Sequence, residues 1–174
     1  MTTPEYWMKL AHEEVGQAER PGKDHNKRIL EYGKKLGLSW YDKDETPWCA
    51  LFVGWVLETA GIRSTRSAAA RSYEKWGERL KQPVPGCIAV LNRPGGASWM
   101  GHVGFFLEEK GERICLLGGN QNDKVSLAWF NKDRVVAYVW PKGVPIPVVA
   151  PPAPVRRPRT RVTPVDTGEE TNDR

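Results

Sequence analysis

The feature that most constrains the fold is a short polar segment that runs directly into an apolar one containing a cysteine. The polar residues 44–47 precede Trp48 and Cys49. Pro47 suits the first position of a helix, because the N–H group that it lacks would have no partner there, and Thr46 is then the expected N-cap. A helix N-terminus has free N–H groups and a partial positive charge, both of which favour a thiolate. We therefore expect Cys49 in the first turn of a helix, where it could be a nucleophile.

Two later segments offer the base and the orienting group that a nucleophilic cysteine needs. His102 stands at the start of an apolar strand, and Asn120 follows the next predicted strand, at 113–117. Residues at such positions can lie side by side in an antiparallel pair. Each residue also has a simpler explanation: Cys49 as a buried apolar residue, His102 as a structural histidine and Asn120 as a turn residue. It is the combination of the three that points to a hydrolase.

The apolar pattern divides the chain into a helical half and a half made of strands. Helical spacing predicts helices at about residues 4–18, 26–36, 47–59 and 67–76. After Pro83 the pattern predicts five short strands, at 87–91, 102–108, 113–117, 125–130 and 135–140. Helices followed by antiparallel strands are typical of an α+β fold. We expect the nucleophile helix to pack on a C-terminal antiparallel sheet of about five strands.

The composition changes again near residue 143. We expect a folded domain over residues 1–142 and a tail rich in Pro and Arg over residues 143–174. Proline at this density favours extended polyproline segments, so we expect the tail to be disordered. It could serve as a linker or a wall-tethering arm, or have no binding role at all.

Three motifs in this order resemble the CHAP-like branch of the NlpC-type cysteine peptidases, which is common in phage cell-wall lysins. They are Glu45–Ala50, Gly101–Phe106 and Gly118–Gln121, and the resemblance extends over about residues 5–141. It implies a papain-like fold in which Cys49 is the nucleophile, His102 the general base and Asn120 the third catalytic residue. Trp48, which adjoins the nucleophile, is the best candidate for substrate contact.

The chain departs from the CHAP pattern at two positions. Many CHAP domains carry Glu two residues before the third catalytic residue, where this chain has Gly118. Cys87 stands where such domains usually have Asp. The resemblance implies an endolysin-like peptidoglycan hydrolase, either an N-acetylmuramoyl-L-alanine amidase or an endopeptidase. A hydrolase or transferase of the same fold acting on a non-wall amide, and a non-catalytic binding protein, remain alternatives.

Composition restricts the possible partners and cofactors. The net charge of +5 favours anionic partners, but no basic run is interleaved with aromatic residues, so we expect no nucleic acid. Peptidoglycan is the partner that the resemblance to CHAP domains implies. Three cysteines and three scattered histidines share no ligand spacing, so we expect no metal and no cofactor.

The same reading bears on location and assembly. No apolar run approaches the roughly 18 residues of a membrane span, and the N-terminus lacks the features of a secretory signal. We expect a monomer that is made in the cytoplasm. The resemblance to phage lysins implies that it acts on the cell wall after release.

Overall fold

The computed structural model describes residues 2–148, which form an α+β unit. The α-helices within these residues are α1 (Pro4–Glu13), α2 (Lys27–Lys35) and α3 (Cys49–Thr59). The strands are β1 (Glu78–Leu80), β2 (Ile88–Asn92), β3 (Gly101–Lys110), β4 (Arg113–Gly118), β5 (Ser126–Asn131) and β6 (Val135–Trp140). Two short 3-10 helices span Ala70–Lys75 and Lys132–Arg134. The disordered tail predicted for 143–174 falls mostly on residues 149–174, outside the described part of the chain.

The strands form one antiparallel sheet in the order β1-β6-β2-β3-β4-β5. The α+β prediction is confirmed, and the sheet has six strands where about five were expected. The additional strand, β1, is only three residues long, and its sequence Glu-Arg-Leu lacks the apolar alternation from which a strand is predicted. It extends the sheet by pairing with β6.

Helix α3 packs on the sheet, as predicted. All its residues from Cys49 to Leu57 are buried, since the helix is apolar on every side. Phe52 of α3 meets Phe105 of β3 with ring centroids 6.2 Å apart in an edge-to-face arrangement. Tyr32 of α2 meets the same Phe52 ring at 5.7 Å, so α3 lies between α2 and the sheet. Such aromatic pairs add to the stability gained from burial.

Two helix starts differ from the prediction. Helix α3 begins at Cys49, its N-cap is Trp48, and Thr46 and Pro47 lie in the preceding loop. Trp48 is fully buried and its Nε1 donates to Glu19 Oε1 at 2.8 Å, so tertiary packing of this side chain outweighs the capping preference of Thr46. The helix predicted from residue 67 is a 3-10 helix from Ala70 instead.

The loop that leads into α3 is fixed by the buried carboxylate of Asp44. This carboxylate accepts from the backbone N–H of Arg20 at 2.8 Å and that of Asn26 at 2.7 Å, and from His25 Nδ1 at 2.8 Å. Burial alone would raise the pKa of Asp44, but these donors outweigh it and hold the pKa below its usual value. Asp44 therefore joins the 20–26 segment to the loop before Cys49.

A second tie connects the N-terminal segment to the loop that follows β4. Gly16 N–H donates to Val125 O at 2.9 Å, Val125 N–H to Gln17 O at 2.8 Å, and Glu19 N–H to Asp123 O at 2.8 Å. In the same loop, Asn120, Asn122 and Asp123 have left-handed backbones, with φ of 56°, 54° and 60°. Asn and Asp tolerate that conformation better than most side chains.

Candidate active site

Cys49, His102 and Asn120 line one cavity of about 450 Å³. Cys49 is the first residue of α3, His102 lies near the start of β3, and Asn120 follows β4. The fold thus brings together three residues that lie far apart in the chain. The other lining side chains that matter below are Arg93, Gln121, Trp129, Phe130 and Arg134.

The Cys49 side chain is almost completely buried, at 6% exposure. Burial raises the pKa of its thiol, and the backbone amides of Val103, Ala50 and Cys49 itself act in the opposite direction. The helix start therefore supplies the expected N–H groups, but desolvation outweighs them. Cys49 is a thiol in the resting protein, where the sequence suggested a thiolate.

His102 lies one residue before Val103, whose backbone amide faces the Cys49 thiol. Its ring stacks on Phe130 with centroids 5.1 Å apart and planes 29° apart. Burial lowers the pKa of His102 to about 4, the Gln121 hydrogen bond raises it and the charge of Arg134 lowers it further. The imidazole is therefore neutral at pH 7. Within residues 2–148 no hydrogen bond joins it directly to the thiol.

The orienting contact to His102 comes from Gln121. His102 Nε2 lies 2.9 Å from Gln121 Oε1. The amide of Gln121 is fixed at its other end, because its Nε2 donates to Ser126 O at 2.6 Å and to Leu116 O at 3.3 Å. Gln121 Oε1 is thus the acceptor, and His102 Nε2 must carry the proton. This leaves His102 Nδ1 as the basic nitrogen of the neutral ring.

Asn120 lines the cavity, but the hydrogen bond that the sequence led us to expect from it is made by its neighbour. The backbone of Asn120 is left-handed, with φ of 56°. Sequence reasoning passed over Gln121 because both residues lie in the same short motif. No spacing rule tells which of two adjacent amides will face a histidine across the sheet.

Gly118 explains why Gln121 can reach the ring. A Cβ atom at position 118 would lie 2.5 Å from Gln121 Oε1 and 3.4 Å from His102 Nε2. The space beside Nε2 therefore admits either a side chain at position 118 or the amide of Gln121. In this chain position 118 is glycine, and the amide of Gln121 occupies that space.

Trp48 does not line the cavity. Its side chain is fully buried and packs on the loop that follows β4. A Cβ atom at Gly119 in that loop would lie 2.6 Å from the indole ring. Trp48 thus seats the segment before Asn120 against α3. Trp129 of β5 does line the cavity and is 37% exposed, which makes it the indole available for substrate contact.

The other two cysteines lie elsewhere in the fold. Cys87 is fully buried, and burial raises the pKa of its thiol to about 12. Cys115 is also buried, in β4. Both are packed residues, as the sequence indicated. Among residues 2–148, no group of three or more His, Cys, Asp or Glu side chains is arranged to hold a metal ion. None of the helices in this range has the length and apolar character that crossing a membrane requires.

Comparison with known proteins identifies the central part of the chain. The sequence model of the CHAP domain matches residues 41–120. No curated protein matches the sequence.

Two solved structures have a similar arrangement. One is NlpC1 from Trichomonas vaginalis, with a TM-score of 0.48 and 12% identity over 78% of this chain and 43% of that protein. The other, from Staphylococcus aureus subsp. aureus Mu50, is described as similar to a lipoprotein of the NLP/P60 family, with a TM-score of 0.45 and 17% identity over 78% of this chain and 40% of that protein. This chain thus spans about two fifths of the length of each. Residues 41–120 are thus similar to the CHAP domain, whose family members are generally cysteine amidases or endopeptidases.

Proposed function

We propose that this protein is a peptidoglycan hydrolase that cleaves an amide bond with Cys49 as nucleophile and His102 as general base. The observation that carries the proposal is that both side chains line one cavity, with the His102 ring held from behind by Gln121. The match of residues 41–120 to the CHAP domain supports the bacterial cell wall as substrate. An endolysin-like role, with action on the wall after release and as a monomer, belongs to the same proposal.

In the proposed reaction the resting pair is neutral. Cys49 Sγ attacks the amide carbonyl carbon and forms a C–S bond while its proton passes to His102 Nδ1. The tetrahedral intermediate then collapses, the C–N bond breaks, and the leaving amine takes the proton from His102. Water, with His102 again as base, hydrolyses the thioester and regenerates the thiol.

Two groups assist this sequence. The backbone N–H of Cys49, at the free N-terminal end of α3, is the proposed donor to the oxyanion. Gln121 holds His102 in the Nε2–H tautomer, so that Nδ1 stays available as the base. Burial disfavours an isolated thiolate and an isolated imidazolium, but the two charges stabilise each other when they form together. Asn120, as a cavity residue, is the proposed third member of the site in a substrate-facing role.

The direct test is digestion of isolated sacculi of several wall chemotypes. The full-length protein should release soluble peptides, and Cys49→Ala should release none. Cys115→Ala is the matched control and should behave as the parent, because that thiol lies in β4 away from the cavity. New alanine amines paired with free sugar-lactyl groups would identify an amidase, and new amines within the peptides an endopeptidase. No release from any chemotype, or full activity of Cys49→Ala, would refute the proposal.

A further inference from the structure

The wall of the cavity beside His102 carries two arginines. Arg93 directly follows β2, and Arg134 directly precedes β6, the strand that pairs with β2. Arg134 donates from Nε and Nη2 to Asn92 O, at 3.2 and 3.1 Å. Its guanidinium lies 5.3 Å from the centroid of Phe130, the ring on which His102 stacks. Sheet pairing and these contacts therefore set Arg134 next to the base, and Arg93 lines the same cavity.

Within residues 2–148 the charge of this pair is only partly offset. Neither guanidinium forms an ion pair with a carboxylate there. The residues that line the cavity include no Asp or Glu. Burial lowers the pKa of Arg134; the charge of Asp133, its neighbour in sequence, opposes this shift, and the charge of Arg93 adds to it. Two positive charges in the lining of a cavity that has no acidic side chain are a favourable place for an anion.

We propose that Arg93 and Arg134 form a subsite for a carboxylate of the substrate, close to the amide that is cleaved. This inference rests on the proposed function, because it takes the cavity as the place where a wall peptide binds. The substrate class that it specifies is a peptide with free carboxylates, in preference to the same peptide with those groups converted to amides.

The free groups of the two arginines suit this role. Two of the three guanidinium nitrogens of Arg134 donate to Asn92 O, which fixes the orientation of the guanidinium before a ligand binds. The third nitrogen, Nη1, is left to donate to a ligand. Arg93 is exposed, so its side chain is free to turn toward the oxygen atoms of the same substrate carboxylate. A carboxylate bound there would also offset the charge of Arg134, which lowers the pKa of His102 in the free protein. Substrate binding and the basicity of His102 are thereby linked.

Binding of soluble wall peptides by full-length Cys49→Ala, measured by calorimetry at pH 7, tests the subsite. One peptide preparation keeps its carboxylates free, and a second has them converted to amides. We expect the free form to bind at least tenfold more tightly, which is the effect of one charge-assisted hydrogen bond. Adding Arg93→Gln should remove most of that preference, and Arg93→Lys should keep part of it. Arg63→Gln, an exposed arginine at a different cavity, should keep all of it.

The subsite and the proposed function fail in different ways. Equal affinity for the two preparations, or an unchanged preference in Arg93→Gln, would overturn the subsite. Hydrolysis of both preparations at equal rates by the active protein would also overturn it, while leaving the proposed function intact. A clear binding preference without hydrolysis by the active protein would refute the proposed function and support the subsite.

Discussion

Replacing Gln121 with Leu tests whether this amide orients the general base. Leu fills a similar volume but removes the partner of three polar groups that are buried or partly buried: His102 Nε2–H, Leu116 O and Ser126 O. A buried polar group without a partner costs about 1–3 kcal/mol. If the share that falls on His102 is about 1.4–2.7 kcal/mol, kcat decreases about 10- to 100-fold. A total loss on the order of 3 kcal/mol would lower Tm by about 10 °C.

A pH profile separates an orienting role from a merely structural one. Gln121→Glu keeps an acceptor for His102 but places a negative charge beside it, so the pKa of His102 should rise from about 4. The acid limb of kcat/KM should therefore move to higher pH by about one unit or more. Peptide release from sacculi, measured from pH 4 to 8, gives both kcat and the limb.

Asn120→Gly is the matched comparison. Glycine removes the side chain without straining the left-handed backbone at this position. We expect the acid limb to stay where it is in the parent protein. If Gln121→Leu instead keeps the parent kcat and pH profile while Asn120→Gly loses tenfold or more, Asn120 is the orienting residue and our reasoning is wrong.

Three further predictions concern the same region. Gly118→Ala should lower both kcat and Tm, because the new Cβ would lie 2.5 Å from Gln121 Oε1, and the Gln121 amide cannot move without losing its hydrogen bonds. A kcat and Tm equal to those of the parent protein would show that the amide has room to shift. His102 has a pKa of about 4 when folded against about 6.5 when unfolded, so the unfolded chain binds more protons and stability is lost as pH falls from 6.5 to 4. Denaturant titrations should show that loss, on the order of 3 kcal/mol, in the parent but not in His102→Gln; parallel curves would contradict it. In the folded protein at pH 7, iodoacetamide should leave Cys87 unmodified, since its pKa is about 12 and its side chain is fully buried; mass mapping that finds it labelled as fast as Cys49 would refute this.

The elements that the sequence predicted best are those with strong apolar patterns. Strands β2 to β6 and helix α3 fall where the period of the apolar residues places them, because burial on the sheet and around α3 selects that pattern. The start of α3 was misplaced, because the fully buried Trp48 forms the N-cap in place of Thr46, and capping rules do not include tertiary packing. The polar strand β1 exists only through its pairing with β6.

The candidate site was predictable only in part, for a similar reason. Cys49 and His102 stand in short motifs at the starts of their elements, so local chemistry identifies them. The role of Gln121 depends on the missing side chain at Gly118 and on two carbonyl groups across the loop. Arg93 and Arg134 are brought together by the pairing of β2 with β6, and a charge count along the chain cannot show this.

The backbone hydrogen bonds between residues 16–19 and 123–125 determine where this protein can be truncated. The region that matches the CHAP domain ends at residue 120, one position before Gln121. An excised 41–120 fragment would lack Gln121, whose amide contacts His102, and strands β5 and β6. It would also lack the N-terminal segment that is hydrogen-bonded to the loop after β4. The smallest fragment expected to keep the candidate site intact is therefore defined by these hydrogen bonds rather than by the limits of sequence similarity, and it should begin near Thr3, the N-cap of α1.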